Sequence, residues 1–208
     1  MAFRVYSPEK TEEYSYYAEG RSTLAPDFRW GGSSMLLIQN GTLYTMESNG
    51  PIRADLLIRN GKIAKIAPRI LPQEGTERLD ATGKRVYPGF IDAHSHIGIA
   101  EEQTTVQTDA SNEGTNPATP YVRAIDGIHP MDGAFHNALA AGITGVLVGL
   151  GSANPIGGQF AFIKTYGRNV DAMVVLAPAA IKVAFGKIPR RPMEPMAECL
   201  LPEWALLL

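Results

Sequence analysis

Residues 86–98 read Val-Tyr-Pro-Gly-Phe-Ile-Asp-Ala-His-Ser-His-Ile-Gly, and no other stretch restricts the possible folds of this chain so strongly. The string is an apolar strand that runs into two histidines spaced i, i+2. Strand side chains alternate faces, so His94 and His96 point the same way, and Asp92, two residues earlier, shares their face. Two imidazoles side by side at the C-terminal end of a strand can share one divalent cation. Pro88-Gly89 forces a turn just before the strand continues, proline by fixing φ and glycine by admitting positive φ. A bare His-x-His also fits a strand end with two solvent-facing histidines, but the longer string is far more restrictive.

Residues 1–34 have no sustained period and mix Tyr14, Tyr16 and Tyr17 with charged residues before Gly31-Gly32-Ser33-Ser34. They read as a poorly ordered leader. From residue 35 to 85, short β-type runs (36–38, 42–46, 55–59 and 62–67) are separated by Asn40-Gly41, Asn49-Gly50 and Asn60-Gly61. Asn-Gly between apolar runs is the strongest local hairpin signal, so a meander is expected there. From Val86 onward the expected rhythm is that of a parallel β/α unit. A strand over 86–96 is followed by a polar loop over 101–120, and a short helix over 131–141 is stopped by Gly142. Buried strands follow at 144–150 and 181–185.

The balance of charges excludes several classes of function. With 45% hydrophobic residues, 19% charged residues and a formal net charge of −2, the chain offers no basic surface for nucleic acid. No run approaches the ~18 consecutive apolar residues of a membrane span, so no membrane association is expected and the cytoplasm is the expected compartment. The single cysteine, Cys199, forms no intrachain disulfide and agrees with a reducing environment.

Pro-Gly-Phe-Ile-Asp-Ala-His-Ser-His resembles the first barrel strand of the metal-dependent amidohydrolase superfamily, in particular its imidazolonepropionase-like members. Residues 35–66 look like the small β-sandwich that precedes the barrel in such enzymes, and residues 152–167 are similar as well, so the resemblance covers residues 35–186. It implies an α/β protein in which a β-sandwich segment (35–85) precedes the first part of a TIM-type (β/α) barrel (86–186), with a divergent tail at 187–208. It also implies hydrolysis of a C–N bond, often in a cyclic amide, by water activated on a divalent metal, zinc foremost. His94 and His96 are then metal ligands, and Asp92 is the catalytic carboxylate that orients or assists. Lys182, flanked by Ile181 and Val183, matches the carboxylated metal-bridging lysine of some amidohydrolases; the alternative is a lysine snorkelling out of an end strand. Asn154, Gln159, Lys164 and Thr165 lie in and after a glycine-rich stretch and are expected substrate contacts. That stretch itself reads as a loop passing close to the metal. Phe185-Gly186 is followed by Lys187 where similar sequences often carry an acidic bridging ligand. His129 and His136 stay outside the expected site.

A (β/α)₈ barrel takes ~250 residues, and residues 86–208 supply roughly half of that. The expectation is therefore an incomplete barrel, lacking the later-strand histidines and last-strand aspartate that the resemblance implies. Such a chain reads as a truncated amidohydrolase, inactive alone toward its small-molecule substrate. The rival class is a non-enzymatic remnant or half-barrel module that pairs with another copy or a complementing second chain through its open sheet edges.

Overall fold

The computed structural model describes residues 2–6, 14–17, 35–47, 50–100 and 111–184. The expectations for Asn49, for residues 101–110, for Phe185-Gly186-Lys187 and for Cys199 lie outside the described residues. Two compact units emerge, Met1–Phe90 with Ala138–Thr144, and Ile91–Asn137 with Gly145–Leu208.

The first unit is built on a seven-stranded sheet. Its strands are β1 (Ala2–Tyr6), β2 (Tyr14–Tyr17), β3 (Met35–Leu43), β4 (Ile52–Arg59), β5 (Lys62–Ala67), β6 (Glu77–Asp80) and β7 (Arg85–Pro88). The order is β2-β1-β7-β3-β4-β5, and β6 and β7 run parallel to successive halves of β3. Alternation on β3 and β4 explains the core: Leu36, Ile38, Leu56 and Ile58 pack with Val86 on one face, while Leu37 and Leu57 pack with Ile70 on the other. Each such side chain contributes ~1.5–3 kcal/mol of apolar burial. β1 and β2 fall inside the segment read as a leader, and β1 pairs antiparallel with β7.

Asn60-Gly61 forms the expected hairpin between β4 and β5, with both residues at positive φ. Asn40-Gly41 does not form one. Asn40, at φ 63°, sits in a bulge inside the continuous strand β3, where its N–H donates to Asp55 Oδ1 at 2.9 Å and its Nδ2 to Asp80 Oδ1 at 3.0 Å. Its polar neighbours satisfy the bulged residue without a chain reversal.

The second unit is carried by a four-stranded sheet of order β11-β10-β9-β8, with β8 (Phe90–Ser95), β9 (Ile143–Val148), β10 (Ile156–Lys164) and β11 (Val174–Val183). Helix α1 (Gly133–Ala140) connects β8 to β9, and α2 (Val170–Met173) is a single turn before β11. Phe90 N–H donates to Gly142 O and Gly149 N–H donates to Ser95 O, so β8 and β9 advance together as a parallel pair. β10 instead lies antiparallel to both β9 and β11.

Three sequence expectations need correction here. The strand over 86–96 is interrupted at Gly89, and Val86 belongs to the first sheet. Of the glycine-rich stretch after β9, residues 149–155 form a loop as expected, whereas Gly157-Gly158 lie inside β10. The parallel β/α rhythm also stops after β9: residues 149–155 are too few for a parallel crossover, which takes a dozen or more residues, so the chain returns antiparallel. The fold is mixed α/β, with no closed barrel among the described residues. No helix among the described residues is long and apolar enough to cross a membrane.

Candidate metal centre

His94 lies on β8 and His96 is the residue just past its end, with the two rings adjacent. Their rings lie 5.2 Å apart, edge to face. His96 Nδ1 is 2.7 Å from the carbonyl oxygen of Gly149. A carbonyl can only accept, so Nδ1 carries a proton; in the neutral ring the lone pair is then on Nε2, one of the two nitrogens through which histidine ligates metals. Gly149 is held in turn, since its own N–H donates to Ser95 O at 3.1 Å. One residue of β9's end thus fixes both the register of β8 and the ring of His96.

The His94 ring lies 5.6 Å from the ring of Phe160 on β10. Its pKa falls below the ordinary 6.5, first through lost solvation and then through the positive charges of Lys182 and His96, against a smaller upward pull from Asp92. The ring is thereby biased toward the neutral, ligating form. Asp92 Oδ1 accepts the N–H of His94 at 3.0 Å, so this carboxylate shapes the strand end that carries both histidines.

Lys182 on β11 is 8% exposed, across the sheet from Gly158. Its stem passes over Gly157, whose missing Cβ would lie 3.0 Å from Lys182 Cγ. The side chain is therefore buried against β10 rather than extended into solvent, and its charge reaches His94. These residues fit two corners of a divalent-cation site, with Lys182 close by. No group of three or more His, Cys, Asp or Glu side chains converges among the described residues.

The side chains of Asn154 and Gln159, two of the four expected substrate contacts, are engaged by neighbouring loops. Asn154 is 1% exposed; its Oδ1 accepts from Glu113 N–H, and its Nδ2 donates to the carbonyls of Glu113 and Asn116. That side chain pins the 113–116 loop. Gln159 Nε2 donates to Pro120 O at 3.2 Å. Lys164 pairs with Gly145 at the start of β9, about 10 Å of strand away from the Ala161–Val148 pair near the histidine end, and the buried Thr165 lies beyond it. A residue unforeseen from sequence is Phe160, which backs His94; Gly149 was read only as part of a loop passing close to the metal, without a partner for His96. The structure explains the glycine: an added Cβ would lie 2.2 Å from Phe160 Cζ, so the position leaves no room for a side chain.

No family model matches the chain. The crystal structure of an amidohydrolase from Thermotoga maritima MSB8 superposes with a TM-score of 0.71 and 42% sequence identity, over 78% of this chain and 42% of that one. An amidohydrolase, tasK, from Hapsidospora irregularis is 33% identical over 151 residues. This chain is homologous to amidohydrolases and hydantoinases. A D-hydantoinase from Geobacillus stearothermophilus is 45% identical over 73 residues. The chain spans 15% of the length of each of these two relatives, and 64% and 35% of the chain itself is matched.

Proposed function

We propose that this chain carries the metal-binding face of a hydrolase for C–N bonds in cyclic amides, with His94 and His96 as two ligands to a divalent cation, zinc foremost. The observation that carries the proposal is the His96 Nδ1–Gly149 O hydrogen bond beside the His94 ring, which turns Nε2 of His96 away from that carbonyl on the same strand end. When bound, such a cation lowers the pKa of water to about 7 and polarises a carbonyl. The chain's own residues then have defined roles. His96 presents Nε2, His94 presents a ring kept neutral, and Asp92 holds the His94 backbone. Lys182 would be a third ligand only if carboxylated, a change that would remove the positive charge it carries as a free lysine.

Four-coordinate catalytic zinc usually has three protein ligands plus water, and general acid–base help contributes ~10²–10⁴-fold. Among the described residues only the two imidazoles are ligands as they stand, with Lys182 joining them only if carboxylated, and no base is assigned, so weak metal binding and no turnover are expected of the isolated chain. We assign the remaining strands of an incomplete TIM-type barrel to residues outside those described or to a second chain. The exposed Ile91, Leu176 and Ile181 on the outer strands β8 and β11 support a docked neighbour.

The test is a zinc titration of the full chain against a chromogenic chelator, with His94→Ala and His96→Ala, followed by assays on a hydantoin. Zinc binding that weakens in both variants, without turnover in the parent, is expected. Binding unchanged in both variants would refute the ligand assignment, and turnover abolished by both would refute the claim of incompleteness.

A further inference from the structure

We infer that Asp132 is a positioning residue for His96: its carboxylate ties the start of α1 to the turn that follows the histidine, and so fixes the direction in which the ring leaves β8. The inference rests on the reading of His96 as a metal ligand.

Asp132 is 8% exposed and uses both oxygens. Oδ1 accepts the N–H of Ala134 at 3.1 Å, as an N-terminal helix cap does, and Oδ2 accepts the N–H of Gly98 at 3.1 Å. Gly98 is two residues beyond His96. Its carbonyl accepts the N–H of His129 at 2.7 Å, so both sides of this residue are held by the segment leading into α1. The turn itself closes on His96, whose carbonyl accepts from Ile99 at 3.0 Å and Ala100 at 2.9 Å.

Gly98 is locked sterically as well. Its φ is +76°, and an added Cβ would lie 2.8 Å from Cε2 of Phe135, a buried residue of α1. The exit of β8 is therefore clamped downstream by Asp132, His129 and Phe135, while the His96 ring is held laterally by Gly149. Loss of the downstream clamp frees the backbone of residues 96–98 to rotate, and the ring loses its fixed approach to the Gly149 carbonyl. The two N–H groups are met by two different oxygens of Asp132, whereas serine and asparagine each offer a single acceptor oxygen, which cannot take both positions.

The experiment uses the full chain and reads the metal-free imidazole nitrogens of His96 by long-range ¹H–¹⁵N NMR, with zinc affinity as a second readout. Asp132→Ser keeps an N-cap oxygen but cannot reach Gly98. Ala134→Pro removes only the cap donor, at a first-turn position where proline is tolerated. The parent is expected to show His96 in the Nδ1–H tautomer. Asp132→Ser should keep its far-UV circular dichroism yet show mixed tautomers, and bind zinc about 10-fold or more weakly, while Ala134→Pro leaves the His96 signals unchanged. Where Asp132→Ser fails to fold, Asp132→Asn gives the same reading. An unchanged His96 tautomer in the Asp132 variant, or an equal shift in Ala134→Pro, would overturn the inference. A parent that binds no zinc overturns the ligand reading instead, and the tautomer comparison still decides the role of Asp132.

Discussion

Gly149→Ala should damage the candidate metal centre through sterics alone. The added methyl would stand 2.2 Å from Cε1 and Cζ of Phe160 and 2.3 Å from its Cδ1. Carbon atoms in ordinary contact are about 3.5–4.0 Å apart, so the ring has to retreat by more than an ångström. It has little room: Phe160 is 4% exposed, and its ring already faces His94 at 5.6 Å. Overpacking of this kind costs ~1–3 kcal/mol. For a chain of this size each kcal/mol lowers Tm by about 2–4 °C, so the drop should fall between about 2 and 12 °C by thermal circular dichroism. Gly114→Ala is the matched control, since nothing lies within 4 Å of its added Cβ and its φ is not positive. Phe160→Leu should clear part of the space, so the double variant should lose less than the sum of the two single losses, by about 0.5–3 kcal/mol. Gly149→Ala melting with the parent, or strict additivity in the double variant, would refute the contact on which the site's geometry depends.

Two further outcomes follow from the same arrangement. By NMR titration His94 should have a midpoint below 6.5, and Lys182→Met should move it upward, because the Lys182 charge is among the causes that lower it. Since the folded state holds this proton less tightly than the unfolded chain, the His94 contribution destabilises the fold as pH falls through 6.5, and a midpoint at or above that value refutes the reading. Asn154→Ala should behave as a folding variant rather than a substrate-binding one: it leaves two carbonyls and an N–H of the 113–116 loop unpaired, at about 1–3 kcal/mol for each group that stays buried. An unchanged Tm would count against that role.

What could be read from sequence alone was whatever depends on near neighbours. The period of two put His94, His96 and Asp92 on one face, and no tertiary contact was needed to know it. Asn60-Gly61 reversed the chain because both residues can take positive φ, as a tight hairpin turn requires. The same dipeptide at Asn40-Gly41 failed as a signal because Asp55 and Asp80, 15 and 40 residues away, offered Asn40 partners that a bulge could reach. β10 was obscured for a related reason. Gly157-Gly158 suggested a loop, yet Phe160, Ala161, Phe162 and Ile163 immediately after them form an apolar run that pairs on both sides.

The candidate site shows the same division. Which histidines could bind metal was legible; what makes them competent was not, because competence is supplied from elsewhere in the sequence. The tautomer of His96 is set by a carbonyl 53 residues away, and the exit of β8 by a carboxylate 34 residues beyond Gly98. Both partners are fixed by elements whose own positions follow from packing: Gly149 by the end of β9 against Ser95, and Asp132 by the start of α1. A strand ending in His-x-His could present its rings in many orientations. Here one is selected, because a glycine that tolerates no Cβ and an aspartate that uses both oxygens close on it from two directions.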